Sequence, residues 1–299
     1  MTNQAEPRWT VLGAGAIGCL FAYYLQRAGC SVTLLRRPGK PVSPLSLELA
    51  EATTTLQLQQ ATVEDCAPID NLLITTKAYD VREALRSAQQ KLQPDAAVII
   101  LANGMGLREE AREDFPSLPV YCATTTQGAH RVGVGRIRHA GEGATFIGGA
   151  GTMLPPPWFA PWEAGVRDCH WDADIDSALW QKLAINCAIN PLTAVHRCLN
   201  GALAEQPGLA AQVDGLCTEI SQVSYAAGYT ATAQNIAQTA MEVIRATASN
   251  QSSMLQDVEA GRQTEIHYIT GYLLTVADAH GIPAPINAAL YEKVNSLGN

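Results

Sequence analysis

Three polar residues recur at four-residue intervals in an otherwise apolar segment: Lys182, Asn186 and Asn190. Side chains at positions i, i+4 and i+8 share one face of a helix. Polar groups on a buried helix need partners, and a bound ligand is one candidate. A partly desolvated lysine has a lowered pKa and can give or take a proton. The pattern therefore predicts a ligand-facing helix with a proton donor, and the alternative is a solvated stripe on a surface helix.

A second motif is the glycine turn Gly13-Ala14-Gly15-Ala16-Ile17-Gly18, which matches G-x-G-x-x-G. The first glycine allows a tight turn, the second lets the backbone approach a pyrophosphate, and the third lets helix and strand pack closely. The following helix offers free N–H groups and the positive end of its dipole to phosphates. The motif predicts a dinucleotide site, with a plain glycine turn as the alternative.

Two arginines, Arg36 and Arg37, follow the next apolar strand signal. An NAD site usually has Asp or Glu there to hold the ribose hydroxyls. A carboxylate would repel a 2′-phosphate, whereas a guanidinium binds it with charge-assisted hydrogen bonds. The pair favours NADP(H), and one of the two arginines can be merely solvated.

Lys77 and Asn103 each follow an apolar strand signal. Ligands of open α/β sheets bind beyond the carboxyl ends of the strands, so both residues are candidates for the cofactor site. The alternatives are a surface lysine and an ordinary Asn-Gly turn.

The segment Asn250-Gln251-Ser252-Ser253 precedes apolar residues like a serine-capped helix start. Its N–H groups and hydroxyls could hold a carboxylate, although plain capping explains it equally well. Glu265, taken alone, reads as an ordinary acid in a first helical turn.

The elements that must position these residues differ between the two halves of the chain. Strand and helix signals alternate in the first half, which predicts an α/β domain with a doubly wound, mostly parallel sheet. Strands are expected at 9–12, 32–35, 72–76, 98–101, 120–126 and 166–171, helices at 19–27 and 81–92, antiparallel hairpins within 131–149, and a proline-rich loop at 155–161. The second half predicts an all-α domain with helices at 176–190, 209–227, 232–248, 252–260 and 264–280. We place the domains at 1–173 and 174–299.

The composition excludes several classes of protein. Of 299 residues, 28 are acidic and 20 basic, so the formal net charge is −8. With 47% hydrophobic and 16% charged residues, against about 25% charged in an average chain, the sequence predicts a folded protein. The acidic balance disfavours nucleic acid or a membrane as partner.

The eight cysteines contain no C-x-x-C pair, so we expect reduced, mostly buried thiols and no metal site. The first residues do not resemble a signal peptide, and no apolar run reaches the roughly 18 residues that span a bilayer. We therefore expect a cytoplasmic protein.

Together these motifs resemble the 2-dehydropantoate 2-reductase (ketopantoate reductase) family, over nearly the whole chain. The most specific stretches are KLAINCAINPLTA at 182–194, SSMLQD at 252–257 with the spacing to Thr264-Glu265-Ile266, and NGMG at 103–106. The resemblance implies a Rossmann-type N-terminal domain, an all-helical C-terminal domain and an active site in the cleft between them. It also implies an enzyme that reduces 2-dehydropantoate to (R)-pantoate with NADPH, on the route to pantothenate and coenzyme A.

The resemblance also assigns roles to residues. It implies that Lys182 is the general acid, and we expect Glu265 to keep it charged and oriented. It implies that substrate is bound by Lys182, Asn186, Asn190, Asn200, Asn250, Gln251, Ser252 and Ser253. It implies that the cofactor or ternary site is contacted by Lys77, Asn103, Ala129 and Glu265.

Two alternatives stay open. One is a related NADP-dependent 2-oxo acid or 3-hydroxy acid reductase with another substrate. The other is a non-enzymatic NADP(H) sensor that works through a partner protein. The expected partner is a small-molecule substrate. The expected oligomeric state is a monomer or a homodimer.

Overall fold

The structure is a computed structural model that describes residues 6–39, 42, 44–50, 52–149, 151 and 153–297. By their contacts these residues divide into two compact units. The first contains the described residues up to Ala102 and Leu107–Ile175, and the second contains Asn103–Gly106 and the described residues from Asp176 onward. The contacts thus assign a short segment from the first half of the chain to the second unit.

The first unit contains the strands and four helices. The strands are β1 (Arg8–Leu12), β2 (Ser31–Leu35), β3 (Leu45–Glu48), β4 (Thr53–Leu56), β5 (Gln59–Ala61), β6 (Ile69–Ile74), β7 (Leu92–Ile100), β8 (Val120–Thr125), β9 (Gly128–Gly133), β10 (Arg136–Gly141), β11 (Thr145–Gly148) and β12 (Cys169–Trp171). The helices are α1 (Ala16–Arg27), α2 (Ala78–Ala88), α3 (Leu107–Asp114) and α4 (Ala160–Gly165).

An eight-stranded sheet forms the centre of this unit, in the order β12-β11-β8-β7-β6-β1-β2-β5. Neighbouring strands run parallel, except that β11 is antiparallel to β8. Val11, Leu73 and Ile99 are completely buried, as is typical of parallel strands covered on both faces. The predicted α/β class is confirmed. The strand order reverses beside β1, which is where open α/β sheets bind their ligands.

A second, four-stranded sheet in the order β4-β3-β10-β9 was not expected. The predicted antiparallel hairpin within 131–149 is confirmed as β9 and β10, but β10 also pairs in parallel with β3. The proline-rich segment was wrongly expected to be loop throughout, because it contains a 3₁₀ turn (Pro157–Phe159) and α4. Proline is compatible with the first turn of a helix, since no intrahelical N–H bond is lost there.

The second unit is helical. Its helices are α5 (Ile175–His196, whose first residue belongs to the other unit), α6 (Ala202–Glu205), α7 (Pro207–Ala226), α8 (Thr230–Ala246), α9 (Ser253–Glu259), a one-turn π-helix (His267–Gly271), α10 (Tyr272–His280) and α11 (Pro285–Leu297). The helical class is confirmed. The predicted helix 176–190 continues through Pro191 to His196, because burial of Leu192, Thr193 and Ala194 offsets the missing backbone hydrogen bond.

Packing of this unit centres on α5. Leu183, Ala184 and Cys187 are buried, and Trp180 stacks on Tyr229 with ring centroids 4.5 Å apart. Seven of the eight cysteines of the chain are buried, as expected. Within the described residues, we find no helix with the length and hydropathy needed to cross a bilayer.

Candidate functional sites

The glycine turn joins β1 to α1, and its three glycines have different reasons to be glycine. Gly13 has φ +121°, and a Cβ there would lie 2.7 Å from the Thr75 carbonyl carbon. A Cβ on Gly18 would lie 2.0 Å from the Gly13 oxygen. A Cβ on Gly15 would meet no atom within 4 Å. Packing therefore requires Gly13 and Gly18, whereas Gly15 leaves the backbone open to a close approach by a ligand.

The start of α1 suits an anion. Gly15 is its N-cap, no side chain caps the helix, and its first turn holds no acid. The N–H groups of Ala16 and Ile17 belong to the first turn, where an α-helix provides no partner. Together with the open backbone at Gly15, this geometry fits the pyrophosphate of a dinucleotide.

The two arginines lie just beyond β2 in different environments. Arg36 is half-buried, and its backbone N–H donates to the Ala61 oxygen at 2.9 Å. The Arg37 side chain is 81% exposed and pairs with Asp80, with 3.1 Å between Nη2 and Oδ2. Two arginines and no acidic residue directly follow β2, and guanidinium groups can bind a 2′-phosphate with charge-assisted hydrogen bonds.

Lys77 directly follows Thr75 and Thr76, whose backbone lies against Gly13 of the glycine turn. It is half-buried and is the N-cap of α2. Two residues earlier, Thr75 donates from Oγ1 to the Gly13 oxygen at 2.8 Å. The hydroxyl of Thr76 is buried without a hydrogen-bond partner in the described structure. An unsatisfied hydroxyl beside an open glycine turn is a second feature that fits a bound ligand.

Strand β9 adds a residue that the sequence reasoning missed. Ala129 in β9 is half-buried and packs against the core of this unit. Two residues on, the Arg131 guanidinium donates from Nη2 to the Ala14 oxygen. Nothing in the local sequence marks this arginine, because its partner lies more than a hundred residues away.

In the second unit, the polar face of α5 is not a solvated stripe. Lys182 and Asn186 are half-buried, and Asn190 is buried. Burial lowers the pKa of Lys182 to about 8, and the carboxylate of Glu265 acts in the opposite direction. A lysine with this pKa is mostly protonated at neutral pH and can release its proton readily.

Glu265 is more than an ordinary first-turn acid. It is 4% exposed and precedes the π-helix. Asn103 donates from Nδ2 to its Oε2 at 3.1 Å, and the Met105 N–H donates to the Tyr268 oxygen at 3.1 Å. The second unit thus brings together Asn103, Glu265 and the charge of Lys182. A π-helix is frequent at functional sites and could not be foreseen from the 3.6-residue periodicity.

The remaining predicted substrate residues form a network around the start of α9. The Asn200 N–H donates to the Asn250 oxygen at 3.0 Å, and Asn200 Oδ1 is buried without a partner in the described structure. Ser252 caps α9, accepting from the Leu255 N–H at 3.1 Å, so the predicted serine cap is confirmed.

The hydroxyl of Ser252 is also hydrogen-bonded to that of Thr193 at 2.7 Å, and Thr193 donates to the Asn190 oxygen. Sequence reasoning missed this role of Thr193, which ties α5 to α9. Ser253 and Gln251 are exposed, and Gln251 donates to Glu259 at 3.1 Å. The Ser252 hydroxyl is therefore engaged within the protein, while Ser253 is open to a ligand.

Comparison with known proteins gives consistent matches along the chain. Residues 9–151 match the family described as Ketopantoate reductase PanE/ApbA, and residues 174–298 match Ketopantoate reductase PanE/ApbA C terminal. A 2-dehydropantoate 2-reductase of Vibrio cholerae is 37% identical over 96% of this chain and 96% of its own length. One from Shigella flexneri is 38% identical over 95% of this chain and 93% of its own. The crystal structure of a PanE/ApbA family ketopantoate reductase from Ralstonia eutropha JMP134 superimposes with a TM-score of 0.85, at 26% identity, covering 97% of this chain and 98% of its own.

Proposed function

This chain belongs to the ketopantoate reductase PanE/ApbA family, which makes it a dinucleotide-dependent oxidoreductase, and we propose that it reduces 2-dehydropantoate to (R)-pantoate with NADPH. The observation that carries the proposal is a half-buried lysine whose pKa is lowered to about 8 by burial, while a buried carboxylate acts to raise it. The chain that holds this pair matches a reductase of this name over 96% of its length. The product would enter pantothenate and coenzyme A synthesis.

The choice of NADPH over NADH is supported by the end of β2. Arg36 and Arg37 stand where an NAD site has a carboxylate. Gly13 to Gly18 would hold the pyrophosphate at the start of α1, and Lys77, Asn103, Ala129 and Glu265 are the further proposed cofactor contacts. The glycine turn, Lys77 and Ala129 lie in the first unit, whereas Asn103, Glu265 and the proposed substrate and proton-donor residues lie in the second.

Reduction of the ketone needs a hydride at C2 and a proton at the oxygen. NADPH, when bound, supplies the hydride. Lys182, as an ammonium, would stabilise the negative charge that develops on the oxygen and then donate its proton to it. Glu265 would favour the charged lysine, because an ionised carboxylate stabilises the ammonium against the cost of burial. Asn103 would help to orient that carboxylate through its amide N–H.

Substrate binding would use the polar groups of the second unit. Asn186 and Asn190 share the Lys182 face of α5, and Asn200 offers a buried oxygen that has no protein partner in the described structure. The open hydroxyl of Ser253, with Asn250, Gln251 and Ser252 beside it, would receive the carboxylate. We propose these residues as hydrogen-bonding contacts that fix the ketone relative to Lys182.

The test is NADPH consumption with 2-dehydropantoate, beside pyruvate, 2-oxoisovalerate and 2-acetolactate, and with NADH as the control cofactor. Turnover confined to 2-dehydropantoate and NADPH is the expected result. Faster turnover of another oxo acid would assign the chain to a related reductase. Tight NADPH binding without turnover of any of them would favour the sensor alternative and overturn the proposal.

A further inference from the structure

The residues proposed above to hold the pyrophosphate, Gly13 to Gly18, offer backbone N–H groups and have no charged side chain of their own. We propose that Arg131 supplies a cation there and is a further dinucleotide-binding residue, with its guanidinium beside the pyrophosphate at the glycine turn. The inference rests on the proposed dinucleotide function and extends it to a residue on a different sheet.

The position of Arg131 follows from its hydrogen bond to the Ala14 oxygen. Ala14 immediately precedes Gly15, where an added Cβ would meet no atom within 4 Å. A guanidinium has five N–H donors in a planar fork, and this bond uses one of them. The guanidinium is therefore held at the edge of the open backbone, with donors left for phosphate oxygens.

Strand β9, which carries Arg131, packs against α1, the helix that follows the glycine turn. Strand β9 pairs with β10, and both strands pack against α1. The charge of Arg131 also reaches into α1, since it opposes the burial that raises the pKa of the Cys19 thiol to about 11. The cation and the positive end of the α1 dipole thus act on one region.

The neighbouring arginines differ from Arg131 in having acidic partners. Arg136 and Arg138 on β10 both form ion pairs with Glu48. Among the described residues, no carboxylate pairs with Arg131, whose charge remains available to an anion. Arg131 is hydrogen-bonded to a carbonyl oxygen, and the first turn of the neighbouring helix α1 has no acidic residue. This arrangement suits a ligand with two phosphates.

The experiment compares two ligands on three variants of the whole protein. Dissociation constants are measured for NADP⁺ and for 2′-AMP, which has the 2′-phosphate but no pyrophosphate, by displacement of NADPH fluorescence. Arg131→Gln removes the charge and keeps an amide donor, and Arg131→Lys keeps the charge. Arg138→Gln is the matched control, because it removes a paired arginine from the adjacent strand.

We expect Arg131→Gln to weaken NADP⁺ binding about tenfold, with 2′-AMP changed less than about twofold. Arg131→Lys should recover most of the affinity, and Arg138→Gln should bind like the wild type. Unchanged NADP⁺ binding in Arg131→Gln, or equal weakening of both ligands, would overturn the assignment of Arg131. Failure of the wild-type protein itself to bind NADP⁺ would instead overturn the proposed function.

Discussion

Replacing Glu265 with glutamine should shift the pH dependence of catalysis to lower pH. The substitution keeps the size of the side chain and an oxygen that can accept from the Asn103 amide. It removes the negative charge that raises the pKa of Lys182 against the lowering effect of burial. An opposite charge within about 4–6 Å typically moves a pKa by about one to three units. We therefore expect the pKa of Lys182 to fall below about 8, and we take a shift of about one unit, the lower end of that range.

The consequence follows from the protonated fraction of the general acid. At pH 7 the protonated fraction of Lys182 falls from about nine tenths to about one half when its pKa drops by about one unit. At pH 8 it falls from about one half to about one tenth. Activity that depends on a protonated lysine is lost as pH rises through its pKa, so the alkaline limb must move to lower pH.

The assay is kcat/KM for the substrate measured against pH, with NADPH saturating at each pH, because kcat/KM reports the pKa values of the enzyme before substrate binds. The control is Glu242→Gln, which neutralises an exposed carboxylate on α8 of the same unit and should leave the profile unchanged. An alkaline limb that stays near pH 8 in Glu265→Gln, or that moves to higher pH, would refute this account of the carboxylate.

Three further predictions concern single features of the structure. Gly15→Ala should leave the melting temperature in thermal unfolding unchanged but weaken NADPH binding in a fluorescence titration. Gly18→Ala should lower the melting temperature, because the added Cβ would lie 2.0 Å from a backbone oxygen. The double variant Arg36→Ala, Arg37→Ala should raise the KM for NADPH and leave that for NADH almost unchanged; unaltered selectivity would contradict a 2′-phosphate site. Lys182→Met should abolish turnover yet raise the free energy of unfolding in urea at pH 7 by up to about 3 kcal/mol. The reason is that the pKa of Lys182 in the folded protein, about 8, lies below the usual 10.5, so the charged lysine destabilises the fold. This destabilisation is complete below pH 8 and decreases between pH 8 and 10.5.

Much of the fold was predictable because its signals are local. Glycine at 13 and 18 is required by backbone sterics within a strand-turn-helix segment, so G-x-G-x-x-G identifies the turn directly. The apolar runs of β6 and β7 and the helix between them carry their periodicity in consecutive residues. The serine cap of α9 depends on a bond between residues three apart.

The sequence by itself determined the types of chemistry available: a glycine turn suited to a phosphate, a pair of arginines and a lysine on an apolar helix. Tertiary structure alone decided how these groups are tuned. The lowered pKa of Lys182 is set by desolvation, and Glu265 is buried by the fold. The hydrogen bond between Asn103 and Glu265 joins residues that are 162 positions apart. Contact of Arg131 with Ala14 spans 117 positions. Neither contact leaves a trace in local periodicity, because the energy of a buried charge or a long-range hydrogen bond depends on neighbours that only the folded chain supplies.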